Sequence, residues 1–130
     1  KLFANGCEVI GVEPEGADSV SRSLAQGSPV TLDAVRTIAD SLGAPYAMPY
    51  SFGLIKKHVD SVITLPDSAM IDAMRVMRDK LKLMAEPACA ATFAALTGPL
   101  KERLARKNVA IIACGSNISA ARFDHLTHIA

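Results

Sequence analysis

Three short runs of mostly apolar residues dominate the hydrophobic pattern of the chain and predict β-strands. They cover residues 8–12, just before Pro14, then the β-branched run 59–65, and finally 109–113. Continuous apolar runs of this length are typical of strands that are buried on both faces of a sheet. The pattern therefore predicts a buried sheet.

Between the strands, apolar residues recur at the three- and four-residue spacing of amphipathic helices. One stripe after Pro66 predicts a long helix, and it comprises Met70, Ala73, Met74, Met77, Leu81 and Met84. We interpret this stripe as core, because Met commonly fills protein interiors. An irregular loop is predicted at 44–50, and further helices at 17–25, 33–42, 51–58, 88–96, 100–107 and 119–129.

The alternation of strands and helices predicts an α/β fold with a parallel sheet and helices on its faces. Ligands in such folds bind at the carboxyl ends of the strands. Two turns stand at such ends, 13–18 after the first strand and 114–117 after the last. These two turns are therefore the candidate ligand sites.

Length and charge exclude several classes of function. The chain has 130 residues, which suits one domain, and a formal net charge of +1. This balance gives no electrostatic reason to expect nucleic acid or a membrane surface as a partner. No apolar run approaches the roughly 20 residues of a membrane-spanning helix, and the first residues show no signal-peptide pattern. Three cysteines without CxxC spacing favour a reducing, cytoplasmic location over a disulfide framework or a zinc site.

The candidate turns each leave two interpretations open. Glu13 and Asp18 could hold a hard cation, although the spacing favours a cap on the following helix. Cys114 could face a ligand at the strand end, although a buried, inert cysteine is favoured by sequence alone. His125 and His128 could share a metal at helical spacing, although surface placement is favoured.

Four segments of the sequence, in this order and at this spacing, resemble the serine/threonine dehydratases, which are pyridoxal-phosphate enzymes of the tryptophan synthase β-like fold. The segments are VIGVEP at 9–14, TIAD at 37–40, LMAEPA at 83–88 and CGSN at 114–117. The likeness runs from about Cys7 to the end of the chain. Each motif alone is weak, and the assignment depends on their order.

The resemblance implies that residues 1–130 are the C-terminal segment of the large, three-layer αβα cofactor domain of a fold type II enzyme. The lysine that binds the cofactor and the glycine-rich phosphate loop would precede this segment, and the helix ending at residues 1–3 would follow that loop closely. The isolated chain would then be inactive. The regulatory C-terminal domain of biosynthetic threonine deaminases would be absent, which favours a catabolic or short-form enzyme.

The resemblance also implies four cofactor-binding residues. Cys114 matches the family's Ser or Cys that hydrogen-bonds the pyridine nitrogen, a contact that makes the cofactor a milder electron sink and favours β-elimination. Glu86 matches a glutamate near the cofactor, although it could simply be a carboxylate at a helix start. Asn117 would order the turn around Cys114. Ser41 stands where many members have glycine, a departure that puts the local backbone in doubt.

The resemblance further implies a cation site. Glu13 and the backbone carbonyl of Ala17 match the family's ligands, and racemase-type members add an Asp at the position of Ser19. The serine weakens the case for a divalent cation and favours a dehydratase or a monovalent ion.

The implied reaction is deamination of L-threonine or L-serine to a 2-oxo acid and ammonia by a cytoplasmic, homo-oligomeric enzyme. Two alternatives stay open. One is a serine racemase or β-replacement enzyme of the same fold, and the other is a non-catalytic fragment that associates through an exposed apolar face.

Overall fold

A computed structural model describes residues 6–128, in which helices surround a small parallel sheet. The strands are β1 (Ile10–Pro14) and β2 (Ser61–Leu65). The helices are α1 (Ser19–Gln26), α2 (Pro49–His58), α3 (Asp67–Val76), α4 (Pro87–Thr97), α5 (Lys101–Leu104) and α6 (Ala120–His128). Single turns of 3-10 helix lie at Glu15–Ala17 and Asp40–Leu42, and a π-helical turn at Met77–Leu81 continues α3.

The sheet confirms the predicted α/β class. β1 and β2 are parallel, with Ile10 opposite Ser61 and Pro14 opposite Leu65. Both strands lie where the apolar runs predict them, and each begins two residues later than expected. Their carboxyl ends meet at one edge, where the 13–18 turn leaves β1.

Helix α4 is the centre of the core. Four of its five alanines and Cys89 are buried, and it packs against α3, α5 and both strands. A helix that is apolar on all sides is stable only when it is covered on all sides. The small alanine side chains allow α3 to approach α4 closely, with Met74 and Met77 filling the space between them.

The methionine stripe is core for its first two turns only. Met70, Met74 and Met77 are essentially fully buried, whereas Leu81 and Met84 are 48% and 45% exposed. The wider π-helical turn at Met77–Leu81 shifts Leu81 off the buried face. The helix ends there, because Lys82 has a left-handed φ of +59°, so Met84 lies outside it. The long helix is thus confirmed, but its buried face is shorter than predicted.

The predicted helix at 33–42 is wrong. This segment is irregular and contains only the 3-10 turn at its end. Its amides bond to other parts of the chain: Arg36 N–H donates to the Gly16 carbonyl at 2.9 Å, and Leu32 N–H just before it donates to the Pro45 carbonyl at 2.7 Å. Because these donors are used in tertiary contacts, the i to i−4 ladder of a helix does not form.

The predicted strand at 109–113 is also not formed. The segment has no regular secondary structure and is exposed, with Ile112 75% exposed, and no strand among residues 6–128 pairs with it. One hydrogen bond, from Thr92 Oγ1 to the Ile112 carbonyl at 2.9 Å, holds it against α4. A strand is defined by a ladder to a neighbour, and the described residues supply no third strand.

The remaining predicted helices are present, but their first and last residues differ from the predicted ones. α1 stops at Gly27, which has φ +84° and closes the helix through its N–H to the Ser23 carbonyl. α2 begins two residues earlier than predicted, at Pro49, and α5 is a single turn, Lys101–Leu104. The expected helix end at 1–3 and the last predicted residue of α6, Ile129, lie outside the described residues. No helix in the part of the chain described is long and apolar enough to cross a bilayer.

Candidate active site

The first candidate turn is organised by Glu13, near the carboxyl end of β1. Its Oε1 accepts a hydrogen bond from Val20 N–H, and its Oε2 accepts from Ser21 N–H and Ser21 Oγ, all at 2.8 Å. These amides belong to the first turn of α1, whose own N-cap, Asp18, makes no side-chain cap and pairs with Arg22 instead. Glu13 therefore caps α1 from the neighbouring strand, which confirms the cap interpretation for this residue.

The predicted cation ligands lie close together in the chain, but the Glu13 carboxylate already accepts hydrogen bonds from α1. Ser19 and Ala17 are buried, and the Ser19 carbonyl accepts from Ser23 Oγ at 2.6 Å. Among residues 6–128 no group of three or more His, Cys, Asp or Glu side chains could hold a metal. His125 and His128 fall under that finding as well. A site built from one carboxylate and a backbone carbonyl at Glu13 and Ala17 stays a prediction.

We expect Glu13→Ala to lower the free energy of unfolding by about 2 kcal/mol, because two N-terminal amides of α1 lose their acceptor. Urea unfolding of the full-length protein measures this loss. Glu15→Ala is the matched control, since Glu15 is an exposed carboxylate in the same turn. Equal effects of the two changes would contradict the cap. Stabilisation of the wild type by K⁺ or Mg²⁺ that Glu13→Ala abolishes would instead indicate a cation site.

A pocket of about 210 Å³ lies where the second candidate turn meets two other segments. Its walls come from residues 38–41, from the start of α4 and from the start of α6. Three predicted cofactor residues line it: Ser41, Glu86 and Asn117. Residues more than 70 positions apart in the sequence therefore converge at one pocket, and their contact with a cofactor stays a prediction.

Glu86 lines this pocket and also contacts the Cys114 turn. Its N–H donates to the Gly115 carbonyl at 3.2 Å, and its side chain lies directly over the Gly115 Cα. Gly115 has φ +117°, a conformation that L-residues rarely adopt. The glycine thus lets the turn pass close beneath the Glu86 carboxylate.

Cys114 does not itself line the pocket. Its side chain is exposed, directly after the 109–113 segment, so the alternative of a buried cysteine is wrong for Cys114. The buried cysteine is Cys89, in the first turn of α4. Burial raises the pKa of the Cys89 thiol, and the nearby Cys114 and Glu86 add to the rise. Cys89 is therefore a poor nucleophile, while Cys114 is open to a partner.

Two charged residues line the pocket although the sequence analysis did not predict them as site residues. Asp40 belongs to the TIAD segment but carries no independent signal of a pocket role, and Arg122 sits on the first turn of α6. Ser119 caps that helix, since its Oγ accepts from Arg122 N–H at 3.1 Å. The sequence Ser119-Ala120-Ala121-Arg122 signals a cap but not the direction of the arginine, which depends on how α6 packs.

These features define an α/β domain with a pocket between residues 38–41 and the starts of α4 and α6. The family model described as "Pyridoxal-phosphate dependent enzyme" matches residues 1–115. The chain belongs to this family, which confirms both the predicted resemblance and the fold class.

Individual relatives carry several activities. Phenylserine dehydratase of Ralstonia pickettii is 49% identical over 123 residues, which cover 95% of this chain and 38% of that protein. Serine racemase of Schizosaccharomyces pombe is 37% identical with the same coverages. The structure of the processed form of threonine deaminase isoform 2 from Solanum lycopersicum has a TM-score of 0.92 at 26% identity, covering 100% of this chain and 36% of that one. The chain thus spans 38% of the length of these curated relatives.

The residues present fit one side of a bound pyridoxal phosphate. Cys114 offers an exposed thiol beside the pocket, and Gly115 leaves the turn without a side chain that would fill the space under Glu86. No lysine lines this pocket in the described part of the chain. That the lysine which binds the cofactor covalently lies elsewhere in the full-length enzyme stays a prediction.

Proposed function

We propose that the full-length protein removes water from a 3-hydroxy amino acid, with L-threonine and L-serine as first candidates, and releases a 2-oxo acid and ammonia. The observation that carries this proposal is the convergence of Ser41, Glu86 and Asn117 at one pocket beside the Cys114 turn. The proposal concerns the whole enzyme, because the chain spans 38% of its curated relatives. A cytoplasmic location and a homo-oligomer belong to the same proposal.

Bound pyridoxal phosphate supplies an electron sink for the charge that develops when the α-proton of the substrate leaves. The role of this chain is to bind and orient. In this proposal the Cys114 thiol hydrogen-bonds the ring nitrogen, and the hydrogen bond from Glu86 N–H to the Gly115 carbonyl supports the turn that carries this thiol. Because a thiol is a weak donor and a weak acceptor, it does not keep the ring nitrogen protonated as a carboxylate would. This weak contact favours loss of the β-hydroxyl over return of the proton.

We expect Cys114→Ala to lower kcat of the full-length enzyme on threonine or serine by about 10- to 100-fold, which corresponds to one lost hydrogen bond of about 1–3 kcal/mol. Cys114→Ser, which keeps a hydroxyl for the same contact, should retain most of the activity. Coupled detection of the 2-oxo acid measures these rates, and the absorbance of the bound cofactor reports the ring contact.

Cys7→Ala is the control for this change, since Cys7 is exposed and stands before β1, in a different part of the chain. Its kcat should stay within about twofold of wild type. If Cys114→Ala were as active as Cys7→Ala, with an unchanged cofactor spectrum, the ring contact would be wrong.

The identity of the substrate can be tested with a panel of hydroxy amino acids. A panel of L-threonine, L-serine and phenylserine ranks the hydroxy amino acids, and phenylserine is included because the 49% identical relative is named for it. Racemisation of serine is the second candidate, favoured by the 37% identical racemase. Chiral analysis of serine recovered from the reaction separates the two: a racemase yields D-serine faster than it yields 2-oxo acid.

A further inference from the structure

One wall of the pocket is irregular backbone that must be held in place from outside. Residues 38–41 have no strand or α-helix of their own, yet Ile38 and Ser41 line the pocket. An irregular segment keeps one conformation only if its polar groups find fixed partners. The residue that holds this segment therefore controls the shape of the pocket.

That residue is Asp67, on the first turn of α3. Its Oδ1 accepts a hydrogen bond from Thr37 Oγ1 at 2.7 Å, and its Oδ2 accepts from Ile38 N–H at 2.9 Å. Thr37 Oγ1 in turn accepts from Ala39 N–H at 3.1 Å. One carboxylate thus organises three consecutive residues that lead directly into the pocket wall.

The position of Asp67 suits this task. Each of its two carboxylate oxygens accepts a hydrogen bond from the loop. The partial positive charge at the start of α3 favours a carboxylate there, and hydrogen bonds to a carboxylate are stronger than neutral ones. Ala39, completely buried against Met70 and Ala91, anchors the loop between α3 and α4. Asp67 then sets the direction in which Asp40 and Ser41 leave that anchor.

We propose that Asp67 is a positioning residue for the cofactor pocket: through Thr37 and Ile38 it fixes the loop that presents Asp40 and Ser41 to bound pyridoxal phosphate. The inference rests on the proposed function, because it assumes that this pocket receives the cofactor. It assigns no contact between Asp67 and the cofactor. The carboxylate acts only through the loop.

The test uses the full-length protein with Asp67→Asn, Thr37→Val and Asp67→Glu. Asp72→Asn is the matched control, since Asp72 lies on the same helix with its side chain 71% exposed and paired with Arg75. Hydrogen exchange of the cofactor-free protein is followed in peptides that cover 36–43 and, separately, α4. Fluorescence titration with pyridoxal 5′-phosphate then gives its dissociation constant, and steady-state kinetics give kcat and KM.

We expect Asp67→Asn and Thr37→Val to speed exchange in 36–43 by on the order of tenfold while α4 stays unchanged. Pyridoxal phosphate affinity should fall by a similar factor, with Asp67→Glu intermediate and Asp72→Asn at the wild-type value. Exchange that rises equally in α4 would show a general loss of stability and overturn the positioning role.

The two proposals fail in different ways. A wild-type protein that does not bind pyridoxal phosphate would overturn the proposed function, and with it any role of Asp67 at a cofactor pocket. A wild type that binds while Asp67→Asn binds equally well would overturn the positioning role alone.

Discussion

Replacing Gly16 by alanine is expected to destabilise the protein by about 3 kcal/mol or more, because the new methyl group has no space. A Cβ at this position would overlap the Arg36 carbonyl oxygen and lie 2.7 Å from the Arg36 carbonyl carbon. Both groups are backbone and cannot rotate away. The hydrogen bond from Arg36 N–H to the Gly16 carbonyl, 2.9 Å long, holds them together. Urea unfolding of the full-length protein measures the loss.

Gly53→Ala is the control for the Gly16 change. Gly53 lies within α2, and a Cβ there would meet nothing within 4 Å. Alanine in an open helical position should stabilise by about 0.5–1 kcal/mol. Opposite signs for the two substitutions are therefore expected. A Gly16→Ala protein as stable as Gly53→Ala would mean that the 13–18 turn and residue 36 are not packed together.

Gly115→Ala is expected to weaken binding of pyridoxal phosphate and lower kcat by about 10- to 100-fold, from a strain of about 1–3 kcal/mol at the turn. The residue has φ +117°, and its Cβ would lie against the Glu86 carboxylate, 3.0 Å from the carboxyl carbon. Relief requires the Glu86 side chain or the Cys114 turn to move, and both belong to the proposed site. Cofactor titration and steady-state kinetics on the full-length enzyme measure the effect.

Gly27→Ala is the control that separates the backbone strain of a positive φ from the contact with Glu86. Gly27 also has a left-handed φ, +84°, but a Cβ there would meet nothing within 4 Å. Its substitution should cost about 1 kcal/mol in stability and leave cofactor binding unchanged. If Gly115→Ala and Gly27→Ala changed stability and cofactor affinity alike, the proximity of the Cys114 turn to the cofactor would be refuted.

Part of the candidate site could be predicted from the sequence. Whether a residue could be predicted depends on how it reaches the site. Ser41, Glu86 and Asn117 follow from the resemblance and line one pocket. Arg122 was not predicted, since its direction depends on the packing of α6 against the rest of the domain. Asp67 was not predicted either, because its hydrogen bonds run to residues 29 and 30 positions away. No local pattern encodes such a distance.

The local hydrophobic pattern by itself determined that β1, β2, α2, α4 and the first turns of α3 form, because the composition or spacing of each run suits that element. The starts of β1, β2 and α2 each differ from the predicted ones by two residues. Tertiary structure alone decided the rest. Residues 33–42 have the spacing of a helix, but their amides bond to Gly16 and Asp67. Residues 109–113 have the composition of a strand, but a strand also needs a neighbour. In the first case the backbone hydrogen bonds go to partners distant in sequence, and in the second no partner strand lies within the described residues, so both conformations depend on the tertiary surroundings.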